Sequence, residues 1–105
     1  MGLMALSINA NNNTETGVWE FTLVGEVDIS NAHYFRKQLE AALAEKKQNI
    51  TIDLADLSYI DSTGLGVIIG VYGQVKKEGF SVKVLNPREN VKKLLTISGL
   101  DKILC

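Results

Sequence analysis

The chain has 105 residues, 46% of them hydrophobic and 22% charged, with a formal net charge of −1. That is the length of one domain, long enough to bury a single core without disulfides or a structural metal. The charge balance gives neither an overall basic footprint for nucleic acid nor a cationic face for acidic membranes, although a local basic patch can stand inside a balanced total.

Met1 to Leu6 lacks the charged start and long apolar run of a secretory leader, and Gly2 lacks the spacing of an acylation motif. Met4–Ile8 is a short apolar run and predicts a strand. Asn9–Gly17 holds four asparagines, two threonines and a glycine and reads as a loop. From Val18 to Val24 the pattern alternates, with Trp19, Phe21 and Leu23 on one face and Glu20 and Thr22 on the other, so a second strand follows and the two form a hairpin. Gly25-Glu26-Val27-Asp28 closes it. Asp28 or Ser30 is positioned to cap a helix whose apolar stripe is Ala32, Phe35, Leu39, Ala42 and Leu43, ending near Lys46. Arg36 and Glu40 are spaced as an i,i+4 pair on its polar side.

Ile50–Leu54 alternates again and predicts a strand parallel to the one before the helix. Asp56–Asp61 reads as a turn. A second helix is expected from Ser62 to about Lys77, apolar around most of its circumference through Leu65, Val67, Ile68, Ile69, Val71, Tyr72 and Val75. Its longest apolar stretch, Leu65–Val75, is far short of the ~20 residues of a membrane span. Phe80–Leu85 is a further strand. Asn86-Pro87-Arg88-Glu89 is a helix start, with Asn as cap and Pro at the first position. Val91, Leu94 and Leu95 give that helix its stripe, and Gly99 ends it with Leu100 placed for the glycine-cap contact. Ile103 and Leu104 predict a short terminal strand or a packed tail. Cys105, the one cysteine, has no partner for an internal disulfide. The order β-β-α-β-α-β-α(-β) predicts an α/β fold in one domain over 1–105, a mixed, mainly parallel sheet of four or five strands with helices packed against it.

The run Ile60-Asp61-Ser62-Thr63-Gly64-Leu65-Gly66 lies between a strand and a buried helix. Asp61 or Ser62 can serve as a plain N-cap, with Gly64 and Gly66 allowing tight packing of the first turn. Gly66, Gly70 and Gly73 fall on one helix face and permit close approach of another backbone, from within the domain or from a partner. A phosphate on Ser62 would meet the favourable helix N-terminus and the opposing charge of Asp61, and would add about −1.5 to −2 charges. Enzymatic readings fit poorly. Ile60 stands where a nucleophile elbow needs glycine. The only histidine, His33, lies on the first helix as a surface residue. Gly64–Gly70 is one residue too long for a dinucleotide motif, and no Walker lysine follows any glycine loop. Asp53, Asp56 and Asp61 lack the further ligands of a metal site. Those residues alone leave cap and switch both open.

Gly25-Glu26-Val27-Asp28, Ile52-Asp53-Leu54, Tyr59 to Gly66, Asn86-Pro87, Val91, Leu94-Leu95 and Gly99-Leu100 together resemble a STAS domain of the bacterial anti-sigma factor antagonist family over nearly the full length. The resemblance implies a binding module rather than an enzyme, without cofactor or metal of its own. Its unphosphorylated form would bind an anti-sigma factor that is also a serine kinase and so release a sigma factor. Phosphorylation at Ser62 would end binding, and a cognate phosphatase would restore it. By the same resemblance Asp28, Asp61, Ser62, Thr63, Gly64 and Gly66 form the partner-binding surface. The expected protein is cytoplasmic, monomeric or weakly dimeric, and bound to neither nucleic acid nor membrane. The alternative is a STAS scaffold or transport-complex subunit in which Ser62 is only a cap.

Overall fold

A computed structural model describes residues 5–105. Its elements run β1 (Leu6–Asn13), β2 (Val18–Val27), α1 (Ala32–Glu45), β3 (Asn49–Ile60), α2 (Ser62–Lys76), β4 (Val82–Leu85), α3 (Glu89–Ile97) and α4 (Asp101–Leu104). The sheet order is β1-β2-β3-β4, antiparallel between the first two strands and parallel thereafter. This is the mixed sheet anticipated from the order of elements, with four strands.

One face of the sheet carries Trp19, Phe21 and Leu23 on β2, Ile50, Ile52 and Leu54 on β3, and Val82 and Val84 on β4, all buried. The register sets these side chains in rows, Phe21 beside Ile52 and Ile52 beside Val84. The stripes of the helices close over them in one hydrophobic cluster: Phe35 and Leu39 from α1, Leu65, Ile68 and Val71 from α2, and Val91, Leu95 and Leu104 from the C-terminal helices. Trp19 buries its ring and satisfies its indole N–H on the Lys46 carbonyl at 2.8 Å. The reverse face carries polar residues, among them Glu20, Thr22, Thr51 and Lys83.

The structure departs from the sequence reading at several boundaries. Met4 lies outside the described residues. The asparagine-rich segment is strand as far as Asn13, because pairing with β2 supplies what its propensity lacks. Asn11 and Asn13 each donate from Nδ2 to the Glu20 carboxylate at 3.1 Å, and Asn12 accepts from the buried Gln48 at 3.0 Å. The true turn begins at Asn13, whose carbonyl accepts from Gly17 N–H at 2.8 Å.

The expected turn at Asp56–Asp61 is instead strand as far as Ile60, forming the second half of β3. Its partner register slips between Thr22 and Val24 and again between Gly25 and Glu26, each time leaving one extra residue on β3. The buried positions therefore change from every second residue (Ile50, Ile52, Leu54) to every third (Leu54, Leu57, Ile60). A strand with that spacing does not alternate, which is why the sequence read as a break. Gly25 occupies this irregular stretch with φ 112°, and a Cβ there would collide with the Ala5 carbonyl.

Asn86 does not cap the third helix. It takes a left-handed φ of 54°, and α3 begins three residues later with Arg88 as its N-cap and no side-chain cap bond. Neither Asp28 nor Ser30 is the N-cap of α1; that position is Asn31. The C-terminus of α3 ends as expected: Gly99 at φ 76° donates to Thr96 O and Leu100 donates to Leu95 O, the paired bonds of a Schellman turn. The tail is the helical turn α4 rather than a strand, anchored by fully buried Leu104. Arg36 and Glu40 do not pair; the ion pair among the described residues is Lys47–Glu78.

Gly64 and Gly70 make a contrasting test of this packing. A Cβ on Gly64 would lie 2.6 Å from Ile60 Cγ1 and 2.7 Å from Val27 Cγ1, whereas one on Gly70 meets nothing within 4 Å. Gly64→Ala should lower stability by about 1–3 kcal/mol through overpacking. Gly70→Ala should raise it by up to about 1 kcal/mol through helix propensity. Urea denaturation of both variants checks the opposite signs.

Candidate functional site

Because β2 and β3 are parallel, the segments that follow them leave the sheet at the same edge, where ligands of α/β sheets usually bind. Val27 and Ile60 are the last register pair, and the Asp61 N–H donates to the Val27 carbonyl at 3.2 Å. The Asp28–Asn31 loop and the start of α2 therefore lie side by side. This brings together Asp28, Asp61, Ser62 and Thr63, the residues singled out from the sequence.

The Asp28 loop is closed by its own polar side chains. Asp28 Oδ1 accepts from the Ser30 backbone N–H at 2.9 Å and from its hydroxyl at 2.5 Å. Asn31 ties the loop back to the strand: its Nδ2 donates to Glu26 O at 2.9 Å and its Oδ1 accepts from Asp28 N–H at 3.0 Å. Sequence reasoning missed Asn31. The available signal was an Asx residue directly before the first buried helical position, Ala32. Ile29 projects from this loop with 79% of its surface exposed.

At the start of α2, Asp61 rather than Ser62 is the N-cap. Its Oδ1 accepts from Thr63 N–H at 3.0 Å and from Gly64 N–H at 3.2 Å. The Thr63 hydroxyl also donates to Asp61 Oδ1 in a short bond. That hydroxyl, with the backbone N–H groups of Gly64, Thr63 and Ile29, holds the Asp61 carboxyl below its ordinary range against a smaller opposing effect of burial. The Asp61 carboxylate thus favours its ionised form. Ser62, at the first helical position, is exposed. Among the described residues no side-chain hydrogen bond engages its hydroxyl, while the Thr63 hydroxyl is held by Asp61.

The glycines divide into two kinds. Gly64 is buried against Val27 and Ile60, so it sets how closely the helix start approaches the sheet. Gly66, Gly70 and Gly73 face open space. Their smooth face is not covered by any other element among the described residues. Chemically, the site offers an exposed hydroxyl beside a fixed carboxylate. His33 is exposed on α1 and makes no pair with Ser62, and no cluster of three or more metal-ligating side chains occurs among the described residues.

Residues 9–104 match the family model of the STAS domain. The chain belongs to the STAS family. Anti-sigma-B factor antagonist of Bacillus subtilis is 37% identical over 99 residues, covering 94% of this chain and 90% of the relative. Anti-sigma F factor antagonist of Paenibacillus polymyxa is 35% identical over 89 residues, covering 84% and 76%. Both relatives are named for antagonism, a regulatory binding role, and not for a reaction. The structure of the unphosphorylated anti-sigma factor antagonist SpoIIAA superposes with a TM-score of 0.83 over 94% of this chain and 86% of that one, at 23% identity, which establishes a shared fold. Among the described residues of this STAS domain no helix is long and apolar enough to cross a membrane.

The cap makes the stability of this STAS domain depend on pH in a specific sense. The folded-state pKa of Asp61 lies below its ordinary value of 3.8, so its contribution is fully present above that value and is lost as pH falls through the lower folded one. Asp61→Ala should cost about 1 kcal/mol at neutral pH. Asp61→Asn, which can cap but not ionise, should keep a constant stability gap to the parent from pH 7 to about 4, narrowing below that. A gap unchanged down to about pH 2.5 in denaturant titrations would remove the ionised cap from this account.

Proposed function

We propose that this STAS domain is an anti-sigma factor antagonist switched by phosphorylation at Ser62. The observation that carries the reading is the division of labour at the start of α2. Asp61 engages the Thr63 hydroxyl and the first amides, while the adjacent Ser62 hydroxyl stands exposed and unengaged. The two antagonists named above support the role.

In this reading the unphosphorylated domain binds an anti-sigma factor in the cytoplasm and frees its sigma factor. The contact surface is Asp28, Asp61, Ser62, Thr63 and Gly66, with Gly64 setting the seat of the helix beneath it. The anti-sigma factor is also a serine kinase and brings the ATP. Ser62 Oγ attacks the γ-phosphorus, the bond to the ADP oxygen breaks, and the hydroxyl proton leaves to the kinase. A phosphatase reverses the modification. The domain acts as a monomer or weak homodimer, with neither nucleic acid nor membrane as a partner.

Phosphate adds about −1.5 to −2 charges. A helix N-terminus ordinarily receives such an anion on its amides. Here Asp61 already occupies the Thr63 and Gly64 N–H groups and adds a charge of the same sign. The phosphate therefore remains directed outward, and a partner surface shaped for a hydroxyl meets an unpaired dianion that is costly to desolvate. The switch works by repelling the partner, with no refolding of the domain required.

Intact-mass measurement after incubation with the cognate anti-sigma kinase and Mg-ATP tests the acceptor. Parent and Thr63→Val should each gain one phosphoryl group and Ser62→Ala none; labelling of Ser62→Ala would overturn the assignment. By calorimetry, Ser62→Glu should bind the anti-sigma factor at least about tenfold more weakly than the parent, and Ser62→Ala within about twofold.

A further inference from the structure

The balanced net charge conceals an uneven distribution. From Lys83 to the C-terminus stand five cationic residues, Lys83, Arg88, Lys92, Lys93 and Lys102, against only Glu89 and Asp101, on a chain of net charge −1. Lys92 and Lys93 lie on α3 beside a hollow of about 400 Å³. A second hollow, of about 320 Å³, lies between α3 and the end of β3. Both include Lys93 and Ile97, so the two hollows adjoin along that row of α3, and the second is the groove between α3 and β3.

Two exposed large side chains line the groove together. Ile97 is 81% exposed and Tyr59 is 45% exposed, both in the same groove. Neighbouring exposed apolar side chains rimmed by charged ones form a patch suited to contact with an apolar residue flanked by opposite charge. The groove is also held in shape. Asn90 Nδ2 donates to Ser58 O at 2.7 Å and Arg88 Nε donates to Ala55 O at 2.9 Å, so α3 is clamped to the second half of β3. The groove adjoins the switch along the chain: Tyr59 and Ile60 line it and directly precede Asp61 and Ser62.

We infer that the α3–β3 groove is a second docking surface, taking a segment of the anti-sigma factor that carries carboxylates on either side of a large apolar side chain. The inference rests on the proposed function for the identity of the partner. Carboxylates of the segment pair with Lys92 and Lys93, and its apolar side chain lies against Ile97 and Tyr59. The single acid Glu89 at the rim and the central isoleucine suit a protein segment better than a phosphate backbone, which a row of cations alone would favour. The partner's footprint then spans two regions, the Ser62 edge and the groove. Phosphorylation acts on the first alone.

The test has a partner-independent arm and a partner arm. A twelve-residue peptide of alternating Glu and Leu, titrated into the 15N-labelled domain, should shift the amides of Tyr59, Lys93 and Ile97. The same peptide with Lys for Glu, and a single-stranded oligothymidine, should shift them far less. No shift with the acidic peptide at millimolar concentration, or stronger shifts with the oligonucleotide, would overturn the inference. In calorimetry against the anti-sigma factor, Lys93→Glu and Ile97→Ser, each with the parent's circular dichroism spectrum, should weaken binding about tenfold. Both variants binding like the parent would overturn the second surface and leave the Ser62 switch standing. If the parent itself fails to bind, the proposed function falls, and the peptide titration alone decides the groove.

Discussion

The parallel pairing of β2 with β3 is the constraint on which the site depends. Two extra residues on β3 let the strands stay in step from Val18 and Asn49 to Val27 and Ile60. Without those slips Leu57 and Ile60 would not both face the core, and Asp61 would not emerge beside the Val27 carbonyl. The bulges thus convert a sheet register into the meeting of two loops. Gly64 completes the arrangement, because only a residue without a Cβ lets α2 begin directly over Val27 and Ile60.

Asp61 carries the next level of organisation. It caps the helix, restrains the Thr63 hydroxyl and, through its own N–H, ties the start of α2 to the Val27 carbonyl at the end of β2. One ionised carboxylate thereby fixes the conformation around Ser62 while making no demand on Ser62 itself. A cap formed by Ser62, the other option in the sequence, would have tied its hydroxyl to the backbone. The division between a structural aspartate and an unengaged serine leaves the Ser62 hydroxyl outside the bonding that holds the helix start.

Much of this was legible in the chain. Period-two alternation located the buried face of β2 and the first half of β3, and the helical stripe of α1 named every one of its buried residues. The glycine cap after α3 was readable because Gly99 and Leu100 satisfy a local rule. What escaped depended on distant partners. The asparagines of β1 form strand because Glu20 lies opposite them. The second half of β3 hides its strand character behind bulges that only its pairing with β2 reveals. Asn31 matters through bonds to Glu26 and Asp28, and Asn86 turns the chain where a cap was expected. At the site, the choice between Asp61 and Ser62 as cap was local in sequence but decided by three-dimensional bonding.

The open glycine face of α2 has an energetic consequence of its own. Gly66, Gly70 and Gly73 present backbone and no rotatable groups, so a surface pressed against them has no side-chain freedom to quench on that side. Its shape is set by the helix alone and is the same before and after contact. Complementarity there is a matter of curvature rather than of chemical match. The adjoining loop, with Ile29 nearly fully exposed, supplies what the glycines lack, an apolar projection whose burial has a free energy to contribute. This side of the domain thus combines a rigid, featureless track with a single protruding residue.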